Sequence, residues 1–162
     1  MAMGKWSKAE LQTVIDEFIQ VSEDTWVAGD IDQWANWYTE DVVFRDLGFG
    51  YANGEIELRG REAVREWYMQ HRNTYPSCHA IHYPSPWQVI DEERGWIAME
   101  WLTRMRDPGD GTTHEEKNYS LLKYAGNKQF SYEEDIYNPE RHQAMFQRWR
   151  QVYEQFQPKG CL

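Results

Sequence analysis

Asp46 is the residue of this chain whose type and position most clearly point to proton-transfer chemistry. It lies two positions after the apolar run 42–44, at the end of a predicted strand and just before a glycine-containing stretch. An apolar cavity disfavours the charged form of a carboxylate, so its pKa rises towards values useful for moving protons. We therefore predict that Asp46 faces a cavity and acts as a general base. The alternative is a turn residue that bonds loop amides.

Two histidines, His79 and His82, could also move a proton, because imidazole titrates near neutral pH. The two residues lie three positions apart in a predicted strand, so their side chains point to opposite faces and at most one faces inwards. We predict that His79 takes part in catalysis. The alternative is a partly buried histidine at a strand edge that bonds water.

The predicted strand at 95–106 carries different residue types on its two faces. Glu100 and Arg104 share one face, whereas Met99 and Trp101 share the other. If the charged face points inwards, Glu100 is a catalytic candidate and needs a partner such as Arg104, because a buried unpaired charge is costly. If it points outwards, the other face lines the core. A register shift of one residue inverts every side chain, so alternation leaves both orientations open.

Further polar and aromatic residues are candidates for binding a substrate. Asn118 and Ser120 share a face of one predicted strand and could hold a hydroxyl or carbonyl group, with satisfied sheet polar groups as the alternative. Asp135 ends a run of three acids that could also be a solvated edge. Trp34 and Trp67 are the aromatic residues that we expect to wall a cavity, while the others pack in the core by default.

Composition excludes several classes of function. The formal net charge of −10 argues against nucleic acid, which needs lysine and arginine to replace counterions. No spacing of histidine or cysteine suggests a metal, and no cofactor motif is present. Cys78 and Cys161 are too few for a disulfide framework, and a bridge is not expected because the chain from Pro158 onward should fray. Without a leader or a long apolar run, we predict a cytoplasmic protein that does not contact a membrane.

The elements that must position these residues follow from periodicity and from start and stop signals. Four helices are predicted, signalled by the capping box Ser7-Lys8-Ala9-Glu10, Asp30 after Gly29, Gly60 before Arg61, and Asn138-Pro139. Strands are predicted at 41–46, 79–90, 95–106, 112–124 and 129–137, with a loop between Gly48 and Gly60. Helices followed by a meander of long strands indicate one α+β domain over 1–162, with its core at about 7–157.

Strands longer than the usual 5–6 or so residues must curl. We therefore predict a cone-shaped, strongly curved antiparallel sheet, wrapped by the N-terminal helices and completed by a C-terminal helix. Such a sheet leaves a hollow between its concave face and the helices, and that hollow is the predicted pocket.

The order of elements and several segments resemble the nuclear transport factor 2-like superfamily, in its SnoaL-like and ketosteroid isomerase-like branch. The resembling segments are Ala28-Gly29-Asp30, Tyr38 to Asp46, Arg59 to Tyr68, and Glu134 to Pro139. The resemblance implies a cystatin-like cone, a pocket for a small hydrophobic molecule, and a homodimer formed through the sheet. It also implies that Asp46 occupies the place of the general-base aspartate of ketosteroid isomerase.

The same resemblance bears on which reactions are expected. It implies that His79 and Glu100 lie near two pocket histidines of scytalone dehydratase, and that Asp135 lies near the acid of epoxide hydrolases. It places Ser22 and Ser120 where ketosteroid isomerase has its two oxyanion donors. Serine is a weaker donor than the groups it replaces, so steroid isomerisation is not expected. Epoxide opening is not expected either, since no Arg-x-Asp motif lies on the neighbouring strand.

The sequence therefore predicts a cofactor-independent acid/base enzyme of the isomerase, dehydratase or cyclase type, acting on a small hydrophobic oxygenated molecule. Asp46 would be the base, His79 or Glu100 the returning acid, and Asn118 with Ser120 the carbonyl anchor. Two other interpretations remain: a non-catalytic small-molecule binding protein with the same cone, and a dimeric interaction module whose sheet exterior docks a partner.

Overall fold

The computed structural model describes residues 5–48 and 56–161, apart from the side chains of Trp26 and Val27. Most of the loop predicted between Gly48 and Gly60 therefore lies outside the described residues. The described part of that segment is not all loop, because Ile56–Arg59 forms a strand.

Four helices are described: α1 (Lys8–Ala28), α2 (Ile31–Ala35), α3 (Arg61–Arg72) and α4 (Pro139–Phe156). The predicted N-caps are confirmed, since the side chains of Ser7, Asp30 and Asn138 each accept a backbone N–H three residues on, at 3.0–3.1 Å. Gly29 ends α1 with a φ of 82°, a left-handed conformation that favours glycine. No helix within the described ranges is both long and apolar enough to cross a membrane.

Seven strands form one curved, unclosed sheet. They are β1 (Tyr38–Asp46), β2 (Ile56–Arg59), β3 (Ala80–His82), β4 (Trp87–Asp91), β5 (Trp96–Met105), β6 (Glu115–Gly126) and β7 (Gln129–Tyr137). Their order across the sheet is β2-β1-β7-β6-β5-β3, and β4 also pairs with β5. The strand predicted at 79–90 is divided at residues 83–86, where Pro84 and Pro86 lack the N–H that a continuous strand requires.

One strand pair departs from the predicted antiparallel pattern. The first strand, β1, lies between its hairpin partner β2 and the last strand, β7, and runs parallel to β7. The sheet is therefore mixed, and the α+β class is confirmed. This parallel pairing aligns Asp46 with Asp135, the two acids that the chain order keeps far apart.

Two clusters of apolar side chains hold the helices to the sheet. The larger packs α1 and α2 on the concave face, around fully buried residues such as Ile15, Tyr38 and Phe130. The smaller fixes α4 against β3 and β5, around Trp149 and Met145. The helices thereby cover the concave face, as predicted.

The C-terminal tail contradicts two predictions. Cys78 and Cys161 form a disulfide bond with their Cα atoms 5.9 Å apart, although no bridge was expected. Gly160 also lies within reach of His79, with its carbonyl oxygen 2.7 Å from the Nε2 atom of the imidazole. The segment after Pro158 is therefore attached rather than frayed. Two cysteines cannot make a framework of several bridges. A single long-range bridge needs only that the fold brings Cys161 close to Cys78 in space.

Candidate active site

A cavity of about 450 Å³ lies between the helices and the concave face of the sheet. This volume suits a small organic molecule. Aromatic rings form part of the wall, including those of Phe18, Trp34, Phe44, Trp67, Tyr68 and Trp101, and Gln143, Gln147 and Arg150 of α4 add polar groups. Trp34 and Trp67 are therefore placed as the sequence predicts. These six rings come from α1, α2, α3 and the inner faces of β1 and β5, so both the helices and the sheet contribute to the wall.

One end of the cavity is polar, and strand pairing explains why. Asp46 of β1 is paired with Asp135 of β7, and Asp135 is paired with Ser120 of β6. Residues that face one another on neighbouring strands point to the same side of a sheet. Asn118, Glu133 and Tyr137 each lie two positions from Ser120 or Asp135 along the same strand. Side chains alternate along a strand, so these three point to the same side. We call the resulting set the polar floor; it consists of Asp46, Asn118, Ser120, Glu133, Asp135 and Tyr137.

Three carboxyl groups lie within the polar floor, and all are buried. Asp46 is 4% exposed, Glu133 is 4% exposed and Asp135 is 7% exposed. Each accepts a hydrogen bond from a hydroxyl group. Tyr137 donates to Asp46 Oδ2 at 3.2 Å, Ser120 donates to Asp135, and Tyr38 donates to Glu133. These donors satisfy part of the capacity of each carboxyl group without neutralising it.

Burial disfavours the charged forms of both Glu133 and Asp135. Burial raises the pKa of Glu133 well above its ordinary value, and the neighbouring charge of Asp135 raises it further. Burial also raises the pKa of Asp135 to about 7, against hydrogen bonds from Ser120 and Asn118 that favour its charged form. Close carboxyl groups disfavour each other's ionisation, so the Glu133–Asp135 pair keeps a proton to higher pH than an isolated carboxyl group does.

Two histidines that the sequence prediction did not include line the cavity, His71 on α3 and His142 on α4. The Nδ1 atom of His71 lies 2.9 Å from the carbonyl oxygen of Trp67, and that of His142 lies 3.2 Å from the carbonyl oxygen of Asn138. A carbonyl only accepts hydrogen bonds, so Nδ1 carries the proton in both rings. Burial lowers the pKa of both histidines, which favours the neutral form with a lone pair on Nε2.

His79 does not line the cavity, contrary to the prediction. Its ring is fully buried between the C-terminal tail and α4, with ring centres 4.9 Å from Trp149 and 4.8 Å from Tyr153. The short 3₁₀ turn at Ser77–His79 directs the ring away from the cavity, while Ser77 and Ala80 on either side face it. His79 thus packs and anchors the tail.

Glu100 and Arg104 also lie outside the cavity, because β5 turns its other face inwards. Trp101 and Thr103 line the cavity, so the alternating residues belong to the outer face. Glu100 pairs there with Lys117 at 3.1 Å rather than with Arg104, whose Nε bonds Glu115 at 2.7 Å. The inward orientation on which a catalytic Glu100 depended is therefore wrong.

The predicted candidates divide into two groups. Asp46, Asn118, Ser120 and Asp135 meet on the polar floor as inward-facing residues of adjacent strands. His79, Glu100 and Arg104 lie outside the cavity. Glu133 was not singled out, although it has the same strand parity as Asp135 and could have been found from that parity. No group of three or more histidine, cysteine, aspartate or glutamate side chains is arranged to hold a metal ion within residues 5–48 and 56–161.

Comparisons with solved structures place the chain among SnoaL-like and ketosteroid isomerase-like folds. PrhC from Penicillium brasilianum has a TM-score of 0.64 and 14% identity, covering 91% of this chain and 93% of that one. A Catenulispora acidiphila protein with a ketosteroid isomerase-like fold, solved with trimethylamine, has a TM-score of 0.62 and 14% identity, with coverage of 81% and 92%. At these identities the likeness concerns the fold.

A third solved structure has a functional description. SalBIII, described as an epoxide hydrolase/cyclase-like enzyme in pyran ring formation, has a TM-score of 0.61 and 13% identity, covering 83% of this chain and 95% of that one. No curated protein matches the sequence. The SnoaL-like domain family matches residues 19–125, which is more than half of the chain and runs from the middle of α1 into the last residues of β6. On this match and on its fold, the chain belongs to the SnoaL-like domain family of the nuclear transport factor 2-like superfamily.

Proposed function

We propose that the chain is a cofactor-independent acid/base enzyme of the isomerase, dehydratase or cyclase type, acting on a small hydrophobic oxygenated molecule. The observation that carries the proposal is the burial of three carboxyl groups on the polar floor of a cavity that aromatic side chains also line. Burying carboxylates is costly. Shifted carboxyl groups in a cleft are characteristic of sites that move protons.

The three carboxyl groups divide into a base and an acid. Asp46 takes a proton from carbon beside a carbonyl group, or from a hydroxyl group. The Glu133–Asp135 pair gives its shared proton to the oxygen atom on which negative charge develops. In an isomerisation, protonated Asp46 then returns its proton to another carbon, and the pair recovers its own from the enol oxygen. Every proton that is removed is thus returned.

This assignment revises two roles. The acid is the Glu133–Asp135 pair rather than His79 or Glu100. Ser120 donates to Asp135, so it favours the charged form of the acid instead of anchoring a carbonyl group directly. The likeness to SalBIII supports including cyclisation among the reactions to be tested.

The test is the substitution Asp46→Asn, assayed on a panel of enones, β-hydroxy ketones and hydroxy-epoxides. The amide oxygen can still accept the hydrogen bond from Tyr137, so the variant removes the base and keeps the contact. We expect turnover to fall by about 100-fold or more, which is typical for loss of a general base. The melting temperature should change little.

Asp41→Asn is the matched control, because Asp41 lies on the same strand and is exposed. It should leave turnover unchanged. A loss of several degrees in the melting temperature of Asp46→Asn would instead make Asp46 structural. Ligand binding without turnover of any panel compound, in the wild-type protein, would favour the non-catalytic binding protein.

We also propose that two copies pair through the outer face of the sheet. Trp87, Tyr119 and Ile136 lie in one row across β4, β6 and β7, and they are 43%, 39% and 44% exposed. Val89, 62% exposed, extends the patch. Exposed apolar residues in a contiguous group favour burial against another surface. The superfamily resemblance implies a second copy as the occupant.

A further inference from the structure

The cavity reaches the surface along one face of α4. Gln143 and Gln147 line the cavity and are exposed, and the side chain of Arg150, which also lines it, is 38% exposed. Residues three and four positions apart are neighbours on a helix surface, so the three side chains share one face. We call these three residues the mouth of the cavity. A charged group held there stays partly hydrated, which avoids most of the cost of burying it.

The mouth and the polar floor lie at different ends of the part of α4 that lines the cavity. His142 adjoins the floor, because its ring centre lies 4.7 Å from that of Tyr137. Arg150 follows eight positions later, which corresponds to about 12 Å along a helix axis. Its Nε atom donates to Glu154, one turn further on, which draws the guanidinium group away from the floor. The helix therefore leaves room for a ring system between the two ends.

The two ends also differ in charge. Three carboxyl groups lie on the polar floor, whereas Arg150 is the one lysine or arginine among the described residues that line the cavity. Beside it, the hydrogen bond from Tyr75 and the charges of Arg150 and Lys159 lower the pKa of Glu154. The ammonium group of Lys159 lies 5.9 Å from the centre of the Tyr75 ring. Two cations beside one carboxylate leave this cluster with an excess of one positive charge.

Arg150 keeps hydrogen-bond donors for a ligand. A guanidinium group has five N–H donors, and a carboxylate that pairs with it side by side takes two of them. Glu154, which accepts from Nε at 3.3 Å and from the Tyr75 hydroxyl at 2.9 Å, therefore does not occupy the whole group. The planar fork of arginine matches a carboxylate in shape as well as in charge. The exposed amides of Gln143 and Gln147 add N–H donors on the same face.

We infer that the substrate carries a carboxylate group, which Arg150 binds at the mouth, at the end opposite to the oxygenated group that reacts on the polar floor. The reverse orientation would bring the carboxylate among the carboxyl groups of the floor, where like charges repel it. The single excess charge suits a monoanionic carboxylate rather than a dianionic phosphate. This inference rests on the proposed function, because it names the substrate class of the same cavity and its orientation there.

The test compares the binding of 6-hydroxy-2-naphthoate and 6-hydroxy-2-naphthamide by isothermal titration calorimetry at neutral pH. Both probes have a hydroxyl group at one end of a fused ring system and a planar group of similar size at the other. They differ in the charge of that planar group. We expect the carboxylate to bind at least about 10-fold more tightly than the amide, because hydrogen bonds between charged groups are stronger than those between neutral ones.

Two variants locate the source of that preference. Arg150→Gln removes the charge and keeps a polar side chain, and the affinity ratio of the carboxylate to the amide should fall towards one. Arg148→Gln is the matched control, because Arg148 lies on the same helix and is exposed but is not among the residues that line the cavity. It makes the same change in net charge and should keep the ratio. A ratio, unlike an affinity, is not lowered by a general loosening of the cavity.

Each result separates this inference from the proposed function. Equal binding of the two probes by the wild-type protein would overturn the inference, as would a preference that survives in Arg150→Gln or that Arg148→Gln also abolishes. Failure of both probes to bind counts against it as well. The proposed function is decided independently, because the Asp46→Asn assay uses uncharged compounds that do not need Arg150.

Discussion

At the scale of single residues, the proposed chemistry depends on carboxyl groups whose charged form burial disfavours. The pKa of Asp135 is raised to about 7 from 3.8, chiefly by burial, so the folded state holds a proton that the unfolded chain releases at lower pH. The associated stability is fully present below about pH 3.8 and is lost as the pH rises through about 7. The proposed acid thus opposes stability at the pH where it is useful.

Two acids, Asp46 and Glu100, illustrate what a sequence can reveal about residues. Asp46 was predicted because a carboxylate at a strand end before a loop has a local signature. Glu100 was misplaced because a strand with charged residues on one face and methionine and tryptophan on the other can turn either way. Only contacts with β6 decide the orientation: Lys117 draws Glu100 to the outer face.

At the scale of elements, the disulfide fixes the C-terminal helix and its tail to the turn before β3. The Cys78–Cys161 bridge spans 83 positions. We expect Cys78→Ser/Cys161→Ser to lower the free energy of unfolding by about 4 kcal/mol, because closing a loop of this length restricts the unfolded chain. Differential scanning calorimetry should show a fall in melting temperature on the order of 10 °C.

The reducing agent dithiothreitol provides the control for that prediction. It should lower the melting temperature of the wild-type protein and leave that of the double serine variant unchanged. If dithiothreitol has no effect on the wild-type protein, the tail is held by its packing on His79, and the bridge contributes little.

The elements differ in how far local signals predict them. Helix starts were predicted correctly because the N-caps Ser7, Asp30 and Asn138 act within three residues. The parallel pairing of β1 with β7 was not predicted, because it joins distant parts of the chain and no local pattern records it. Since that pairing brings Asp46 beside Asp135, the composition of the polar floor could not be derived before the topology was known.

At the scale of the whole molecule, the outer face of the sheet carries a patch of exposed apolar side chains. We expect the wild-type protein to be a dimer and Trp87→Lys to shift it towards the monomer. The substitution places a charge in the exposed apolar patch that the proposed dimer would bury. Light scattering coupled to size-exclusion chromatography measures both masses. Phe156→Lys is a matched control, since Phe156 is 53% exposed but lies on α4.

A wild-type mass of one chain would contradict the dimer proposal. A dimer that Trp87→Lys leaves intact would place the interface elsewhere on the molecule. The cavity lies on the opposite, concave face, so neither result bears on the proposed chemistry.

The central claim is that the fold holds a protonated carboxyl pair on the polar floor of the cavity, and the pH dependence of stability tests it most directly. The free energy of unfolding in urea, measured between pH 4 and pH 8, is compared for the wild-type protein and Asp135→Asn. Titrating groups other than Glu133 are common to both and largely cancel in the difference, while loss of the Asp135 charge removes one cause of the raised pKa of Glu133 and so acts in the same direction. We predict that the stability of the wild-type protein relative to Asp135→Asn falls by on the order of a few kcal/mol as the pH rises. A difference that stays constant, or that grows with pH, would contradict the account.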